Sequence, residues 1–119
     1  MDEGAGRAGG AQRLAEWAPA AGILLFHLAF LPGYGVFRDE LYYVACGRRP
    51  GWGYVDHPPL VGWIAWLVAQ LTGESYLALR VVAALAMAAA VWIAGRIAGA
   101  LGGGPFAQAL AGLATGLAP

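Results

Sequence analysis

Two long stretches with almost no charge limit what this chain can fold into. Residues 17–37 are 21 consecutive residues without a formal charge, with the aromatic residues Trp17 and Tyr34 near the two ends of the stretch. A second apolar stretch covers residues 77–101, where Arg80 and Arg96 are the only charges. A helix needs about 20 predominantly apolar residues to cross a bilayer, and aromatic side chains prefer its interfaces. The two stretches therefore predict membrane-spanning helices over about 17–35 and 77–101.

The composition also indicates lipid as the solvent of this chain. Apolar residues make up 60% of it and charged residues 12%, whereas soluble domains average about 45–50% and about 25%. A chain this short must leave much of its surface exposed, and that surface would be largely apolar. Seven basic residues balance seven acidic ones, so no net positive field recruits nucleic acid. The single cysteine excludes an internal disulfide framework.

The ends of the chain predict a tail and a further, incomplete span. The glycines at 102–104 and Pro105 break the second stretch, and Pro105 suits the first turn of a new helix. Residues 105–119 are apolar but too short to cross a bilayer, so they predict the beginning of a third span. Residues 1–16 predict a disordered cytoplasmic tail. Residues 17–119 would then be the N-terminal fragment of a larger membrane domain.

Two questions stay open: whether the first span is cleaved, and on which side of the membrane the following loop lies. The first span also fits a signal peptide with Arg7 and Arg13 as its basic region, but no small-residue cleavage site follows its apolar core, which favours an uncleaved span. The loop over about 36–76 carries three arginines, and the positive-inside rule would place such a loop in the cytoplasm.

Within the loop the sequence predicts two short juxtamembrane helices. Asp39 and Glu40 begin the first, where the helix dipole favours carboxylates. Pro58 and Pro59 open the second, which runs to about Leu71 with one apolar stripe. That pattern favours a helix lying in the membrane interface over one that spans the bilayer. The predicted fold is an all-α membrane protein with two transmembrane helices, the start of a third, and these two loop helices.

The loop also holds the residues that can carry chemistry. Asp39 and Glu40 are either helix-capping acids or a carboxylate kept ionised and aimed at a reacting hydroxyl. Tyr42 shares the helix face of Asp39 and suits either a substrate pocket or interfacial anchoring. His57, before the proline pair, is either a solvated loop residue or a phosphate ligand beside open helix N–H groups.

In order, these features resemble the N-terminal part of a family of integral-membrane glycosyltransferases. The family is the dolichyl-phosphate-mannose protein mannosyltransferase class, glycosyltransferase family 39, and the bacterial aminoarabinose lipid A transferases look similar. The matching stretches cover about half of the chain and are Phe37-Arg38-Asp39-Glu40-Leu41-Tyr42-Tyr43, Trp52-Gly53-Tyr54-Val55-Asp56-His57-Pro58-Pro59-Leu60 and Ser75-Tyr76-Leu77-Ala78-Leu79-Arg80.

The resemblance implies a multi-pass enzyme of the plasma membrane whose first loop is extracytoplasmic. Such an enzyme moves a sugar from a polyprenyl-phosphate donor to a protein or lipid hydroxyl, with inversion at the anomeric carbon. By resemblance, Asp39 is the catalytic base, Glu40 is its companion, and His57 lies near the donor phosphate. Tyr54 and Arg80 fall at matching positions and, with Tyr42, are candidates for binding the donor phosphate or the substrate.

Family members are several times longer than this chain. We therefore expect it to be inactive without the remainder of the enzyme or a partner chain. No metal-ligand cluster is predicted, although a role for a divalent metal stays open. The alternatives are a small non-enzymatic membrane protein whose acidic loop binds a partner or lipid headgroups, and a piece of a transporter.

Overall fold

The structure, a computed structural model, describes residues 3–33 and 35–118. Within these ranges the chain forms helices and no β-strand, which confirms the all-α prediction. Tyr34, predicted to be an interfacial aromatic residue, lies outside the described residues. The helices are α1 (Glu3–Phe30), α2 (Arg38–Arg48), α3 (Pro59–Thr72), α4 (Tyr76–Ala100) and α5 (Pro105–Leu117).

Proline and glycine set most of the helix boundaries. Helix α1 ends at Phe30, shortly before Pro32 and Gly33, and the Gly33 N–H donates to the Phe30 carbonyl at 3.0 Å. Helices α3 and α5 each begin with a proline, whose missing N–H has no partner in a first turn anyway. Helix α3 ends at Gly73, whose φ of +70° is left-handed backbone that glycine adopts without steric cost. The predicted ends of α3 and α4 agree with these bounds to within one residue.

The N-terminal segment differs from its prediction. Helix α1 begins at Glu3, so the prediction of a disordered tail over residues 1–16 is wrong for residues 3–16. The physical reason lies in alanine, the strongest helix former, which recurs through this segment. The polar composition of this segment favours disorder, whereas its alanines favour continuing the helix that follows. The alanines concerned are Ala5, Ala8, Ala11 and Ala15.

One described helix, α4, is long and apolar enough to cross a membrane. Its most apolar window has a mean hydropathy of 2.2, and 17% of that window is buried inside the structure. A core helix of a soluble protein is mostly buried, whereas α4 leaves most of its apolar surface uncovered. The described parts of α1 and α5 do not combine this length with this apolar character. The predicted first span and the incomplete third span therefore stay predictions. The interfacial position of α3 also stays a prediction.

The chain forms two compact units. The first unit contains Met1–Ala29 and Ala83–Pro119, and the second contains Phe30–Val82. Helices α1, α4 and α5 build the first around Ile23 and Val91. Close packing there depends on glycine, since a Cβ added to Gly116 would lie 2.6 Å from Ile23 Cγ1.

The first unit also buries a polar side chain that the sequence analysis did not single out. Gln108 of α5 is 0% exposed, and its Nε2 donates to the Gly103 carbonyl at 3.0 Å. Its Oε1 is buried with no hydrogen-bond partner in the described part of the chain. Space for the amide comes from Gly99 of α4, where a Cβ would lie 2.8 Å from Nε2.

Candidate functional site

The candidate site lies in the second unit on a hairpin of two packed helices. Helices α2 and α3 approach closely because Gly47 of α2 has no side chain. A Cβ at Gly47 would lie 2.9 Å from the backbone carbon of Ala65 in α3. Cys46 is buried next to this crossing. The hairpin therefore packs the end of α2 against the middle of α3.

Tyr54 braces the loop of the hairpin through its hydroxyl group. The hydroxyl accepts a hydrogen bond from the Gly51 N–H at 3.0 Å and lies 3.0 Å from the Cys46 carbonyl, to which it donates. Its ring packs on Gly62, where an added Cβ would lie 2.7 Å from the Tyr54 ring. Tyr54, a candidate for binding the donor phosphate or the substrate, thus has its hydroxyl group engaged with the backbone at the end of α2. This arrangement gives it a role in positioning the loop.

Glu40 and Arg80 form the least exposed ion pair in the described residues of this unit. The guanidinium binds the carboxylate through two bonds, from Nε to Oε1 at 2.5 Å and from Nη2 to Oε2 at 2.8 Å. The Arg80 side chain is 9% exposed and that of Glu40 15%. Paired N–H groups on one carboxylate fix its orientation as well as its charge. The contact therefore fixes the first turn of α2 against the first turns of α4.

The same two side chains also hold the chain that enters α2. Arg80 donates to the carbonyl of Leu31 at 2.8 Å and to that of Gly35 at 3.0 Å. The Phe37 N–H donates to Glu40 Oε2 at 2.9 Å, which satisfies one N–H at the start of the helix. The hydrogen bond from Arg80 is the largest cause that lowers the pKa of Glu40 below its ordinary value, and the Phe37 N–H contributes to it. Glu40 is therefore ionised at neutral pH.

Asp39, one residue before Glu40, is much less constrained. Its side chain is 54% exposed, and its ion pair with Arg38 is long, at 3.7 Å from Arg38 Nε to Oδ1. Asp39 therefore presents an accessible carboxylate on a helix whose position Glu40 and Arg80 fix.

His57 contacts two tyrosine rings of α2. The His57 ring centroid is 5.3 Å from that of Tyr42 and 5.3 Å from that of Tyr43. Desolvation raises the pKa of Tyr42, and the nearby Cys46 thiol adds to that shift, so Tyr42 stays a neutral hydrogen-bond donor. Contacts at this distance orient an imidazole without using its nitrogens. The three rings together place His57 beside the second turn of α2.

The structure thus joins the predicted site residues in two contacts, Glu40 with Arg80 and Tyr42 with His57. The sequence analysis missed a further ion pair in this unit, between Arg48 and Glu74. Arg48 Nε donates to Glu74 Oε1 at 2.8 Å, and Nη2 donates to Oε2 at 2.7 Å. Glu74 has a φ of +42°, which is uncommon for a residue other than glycine. No local pattern could have revealed this pair, because the two residues are 26 positions apart.

The described residues contain no cluster of side chains that could bind a metal ion. No group of three or more His, Cys, Asp or Glu side chains that could hold a metal ion is found in residues 3–33 and 35–118. The acidic side chains on α2 are instead neighboured by arginine. The chemistry available to this site is that of a carboxylate, an imidazole and guanidinium groups.

Comparison with known proteins agrees with the resemblance carried by the loop. The sequence model of the dolichyl-phosphate-mannose-protein mannosyltransferase family matches residues 56–118, just over half of the chain. The chain belongs to this family. No curated protein and no solved structure matches it.

The match to the mannosyltransferase family covers some of the site residues and not others. The matched region contains His57 and Arg80 and extends to residue 118, just past the end of α5. Asp39, Glu40 and Tyr54 precede it, so their assignment depends on the motifs and on the geometry described above. The contact between Arg80 and Glu40 joins the two regions physically, because it places an acid of the preceding segment on a residue of the matched one.

Proposed function

We propose that this mannosyltransferase-family chain carries the acidic first loop of an inverting glycosyltransferase. The donor is a sugar linked to a polyprenyl phosphate, and the acceptor is a hydroxyl of a protein or lipid outside the plasma membrane. The observation that carries this proposal is the pair of adjacent acids with different environments, one fixed by arginine and the other open to solvent. The protein would be a multi-pass membrane enzyme with this loop on the extracytoplasmic side.

Asp39 is the catalytic base in this proposal. Its carboxylate takes the proton of the acceptor hydroxyl as the acceptor oxygen bonds to the anomeric carbon. The bond from that carbon to the phosphate oxygen breaks, and the electron pair leaves with the polyprenyl phosphate. Glu40 suits this role less well, because both of its oxygens already bind Arg80. Glu40 and Arg80 instead hold the turn on which Asp39 lies.

His57 serves the leaving group in the same scheme. The phosphate that departs carries charge already, so it needs electrostatic stabilisation more than a proton. An imidazole next to the beginning of α3 can donate to such a phosphate, together with the first N–H groups of that helix, which no side chain of the described residues caps. The rings of Tyr42 and Tyr43 keep the imidazole oriented.

The lipid part of the donor requires an apolar site within the membrane. In this proposal the remainder of the enzyme or a partner chain completes that site, and this chain is inactive without it. Sugar transfer should therefore be measured in membranes that contain the complete native assembly.

The test is the variant Asp39→Asn, which keeps the shape of the side chain and removes its basicity. We expect transfer of sugar from the polyprenyl-phosphate donor to fall by about 10²–10⁴-fold, the usual contribution of a general base. Asp56→Asn is the matched control, because it removes one exposed acid from the same loop and should retain most of the activity. Both variants should insert into membranes in the amount of the wild type. Transfer by Asp39→Asn at the wild-type rate would remove Asp39 from the reaction.

A further inference from the structure

An apolar groove crosses the surface of the first unit between α1 and α4. Its volume is about 400 Å³, within the usual range for sites of small ligands. On α1 it is lined by Trp17, Ala20, Ala21 and Leu24, which follow one another at helical spacing. Alanine on both helices makes the groove, because larger side chains at these positions would fill it.

On α4 the groove is lined by Ala88, Ala89 and Trp92. No polar atom contributes to the exposed lining, and these residues lie in the helix that is apolar enough to cross a membrane. In a bilayer such a groove is filled by hydrocarbon. Trp17 and Trp92 approach each other at one end of it, with ring centroids 5.3 Å apart.

Both lining stripes continue into an arginine at that tryptophan end. On α1, Arg13 precedes Trp17 by four residues and shares its face. On α4, Arg96 follows Trp92 by four residues, and its guanidinium carbon lies 5.6 Å from the Trp92 ring centroid. Arg13 is exposed, and the Arg96 side chain is 58% exposed. Two cations on different helices therefore flank the same end of one apolar groove.

One acid is present at the same end. The Glu16 carboxylate is 14% exposed and lies 3.7 Å from Arg96 Nη1, a long separation for an ion pair. Two arginines and one glutamate leave a net charge of +1 at the mouth of the groove. The combination of an apolar groove and a cationic mouth fits a molecule with a hydrocarbon chain and a singly charged anionic head.

We propose that this groove binds an anionic phospholipid of the bilayer. One acyl chain lies along the alanines of α1 and α4, and the tryptophan pair covers the glycerol region. The lipid phosphate lies between Arg13 and Arg96. Bilayer phospholipid is the occupant rather than a polyprenyl phosphate, because Arg96 is near the end of α4, whereas Arg80, which holds the loop of the proposed transfer site, is near its beginning. The site does not depend on the proposed glycosyl transfer.

Native mass spectrometry of the delipidated chain in detergent tests this proposal. The chain is titrated separately with phosphatidylglycerol, phosphatidylcholine and an undecaprenyl phosphate. We expect phosphatidylglycerol to bind more tightly than phosphatidylcholine by at least about fivefold, since each arginine near an anionic lipid contributes about 1 kcal/mol. The double variant Arg13→Gln/Arg96→Gln should abolish that preference. Glu16→Gln should strengthen phosphatidylglycerol binding, because it removes the negative charge beside Arg96.

A volume test separates the groove from general lipid adhesion. Ala89→Leu fills the groove from an exposed position and should weaken phosphatidylglycerol binding by about tenfold, the effect of roughly 1.4 kcal/mol. Ala90→Leu makes the same change at an exposed neighbouring position outside the groove and should bind like the wild type. Equal binding of the two phospholipids, equal effects of the two leucine variants, or tighter binding of undecaprenyl phosphate would each overturn the proposal. Circular dichroism of every variant confirms that the helices are formed.

Discussion

At the scale of single residues, the ion pair between Glu40 and Arg80 holds the first turn of α2. The two charges are mostly withdrawn from solvent, and 40 residues separate them in the sequence. Removing one partner of such a pair leaves the other charge buried without compensation, which is strongly destabilising. The first turn of α2, and with it the position of Asp39, therefore depends on a residue in α4.

We expect Arg80→Met to destabilise the second unit by about 3–5 kcal/mol, because Glu40 then stays buried and unpaired. Arg80→Lys should recover part of that loss, since lysine restores the charge but not the two parallel bonds. Thermal unfolding in detergent, followed by circular dichroism, measures both effects. Arg38→Met is the control, because its side chain is 93% exposed, and it should change stability little. Equal melting temperatures for Arg80→Met and Arg38→Met would contradict the prediction that Arg80 stabilises the second unit by pairing with Glu40.

The lowered pKa of Glu40 predicts a loss of stability in acid. A carboxyl group whose pKa is lower in the folded state stabilises the fold above its unfolded pKa, about 4.3, and loses that contribution as the pH falls through the folded value. We expect melting temperatures to decrease below about pH 4.3 and Glu40→Gln to flatten that decrease. Glu74→Gln is the comparison, since Arg48 also lowers the pKa of Glu74 but both side chains are about half exposed. Its effect should be smaller because solvent screens the pair. An acid limb of equal slope in wild type and Glu40→Gln would refute the prediction.

At the scale of helices, the hairpin of α2 and α3 depends on two glycines. Gly47 lets the helices cross, and Gly62 accepts the ring of Tyr54. The Tyr54 hydroxyl then closes the loop on the end of α2. Glycine inside a helix costs about 0.5–1 kcal/mol relative to alanine, so its presence at such positions indicates a packing constraint.

We expect Gly47→Ala to destabilise the protein by about 1–3 kcal/mol, since its new Cβ meets the backbone of α3, which cannot move aside cheaply. Gly53→Ala is the matched control, because a Cβ at Gly53 meets nothing within 4 Å. Thermal unfolding of both variants under one condition decides the comparison. If Gly47→Ala were as stable as the wild type or more so, the helical preference of alanine would outweigh the contact, and the crossing would not be tight.

At the scale of the whole molecule, the position of α4 in a membrane determines where the acidic loop lies. Helix α4 has 25 residues, about 37 Å at the usual helical rise, which is enough for the hydrocarbon core of a bilayer. Ser75 precedes the helix, and Leu101 and the glycines at 102–104 follow it. A spanning α4 puts these two ends on opposite sides of the membrane.

We expect cysteines placed at the two ends of α4 to react with a membrane-impermeant maleimide from opposite sides. Ser75→Cys should be labelled in intact cells, and Gly104→Cys should be labelled only after permeabilisation. Gly104 accepts a side chain without contacts, and the native Cys46 is first replaced by alanine so that each variant has one thiol. Labelling of both positions from the same side would show that α4 does not span. Reversed labelling would place the loop in the cytoplasm, as the count of arginines suggests.

Much of the architecture could be predicted from the sequence because its signals are local. Pro59 and Pro105 begin helices, and Gly73 ends one, through the fixed or permissive backbone angles of these residues. The apolar length of α4 sets its candidate span, and the short motifs around Asp39 and His57 indicated the family that the comparison then confirmed. The segment over 3–16 is helical against its prediction, because the helical preference of its alanines outweighs its polar composition.

The sequence by itself determined where most helices begin and end, that the segment of α4 is long and apolar enough to cross a membrane, and the family of the chain. Only the tertiary structure decided which of the two adjacent acids is fixed and which is open, because Arg80 reaches Glu40 across 40 residues. It also decided that Tyr54 binds backbone and that Gln108 is buried. Helix signals act between residues a few positions apart, whereas these contacts depend on how whole helices pack.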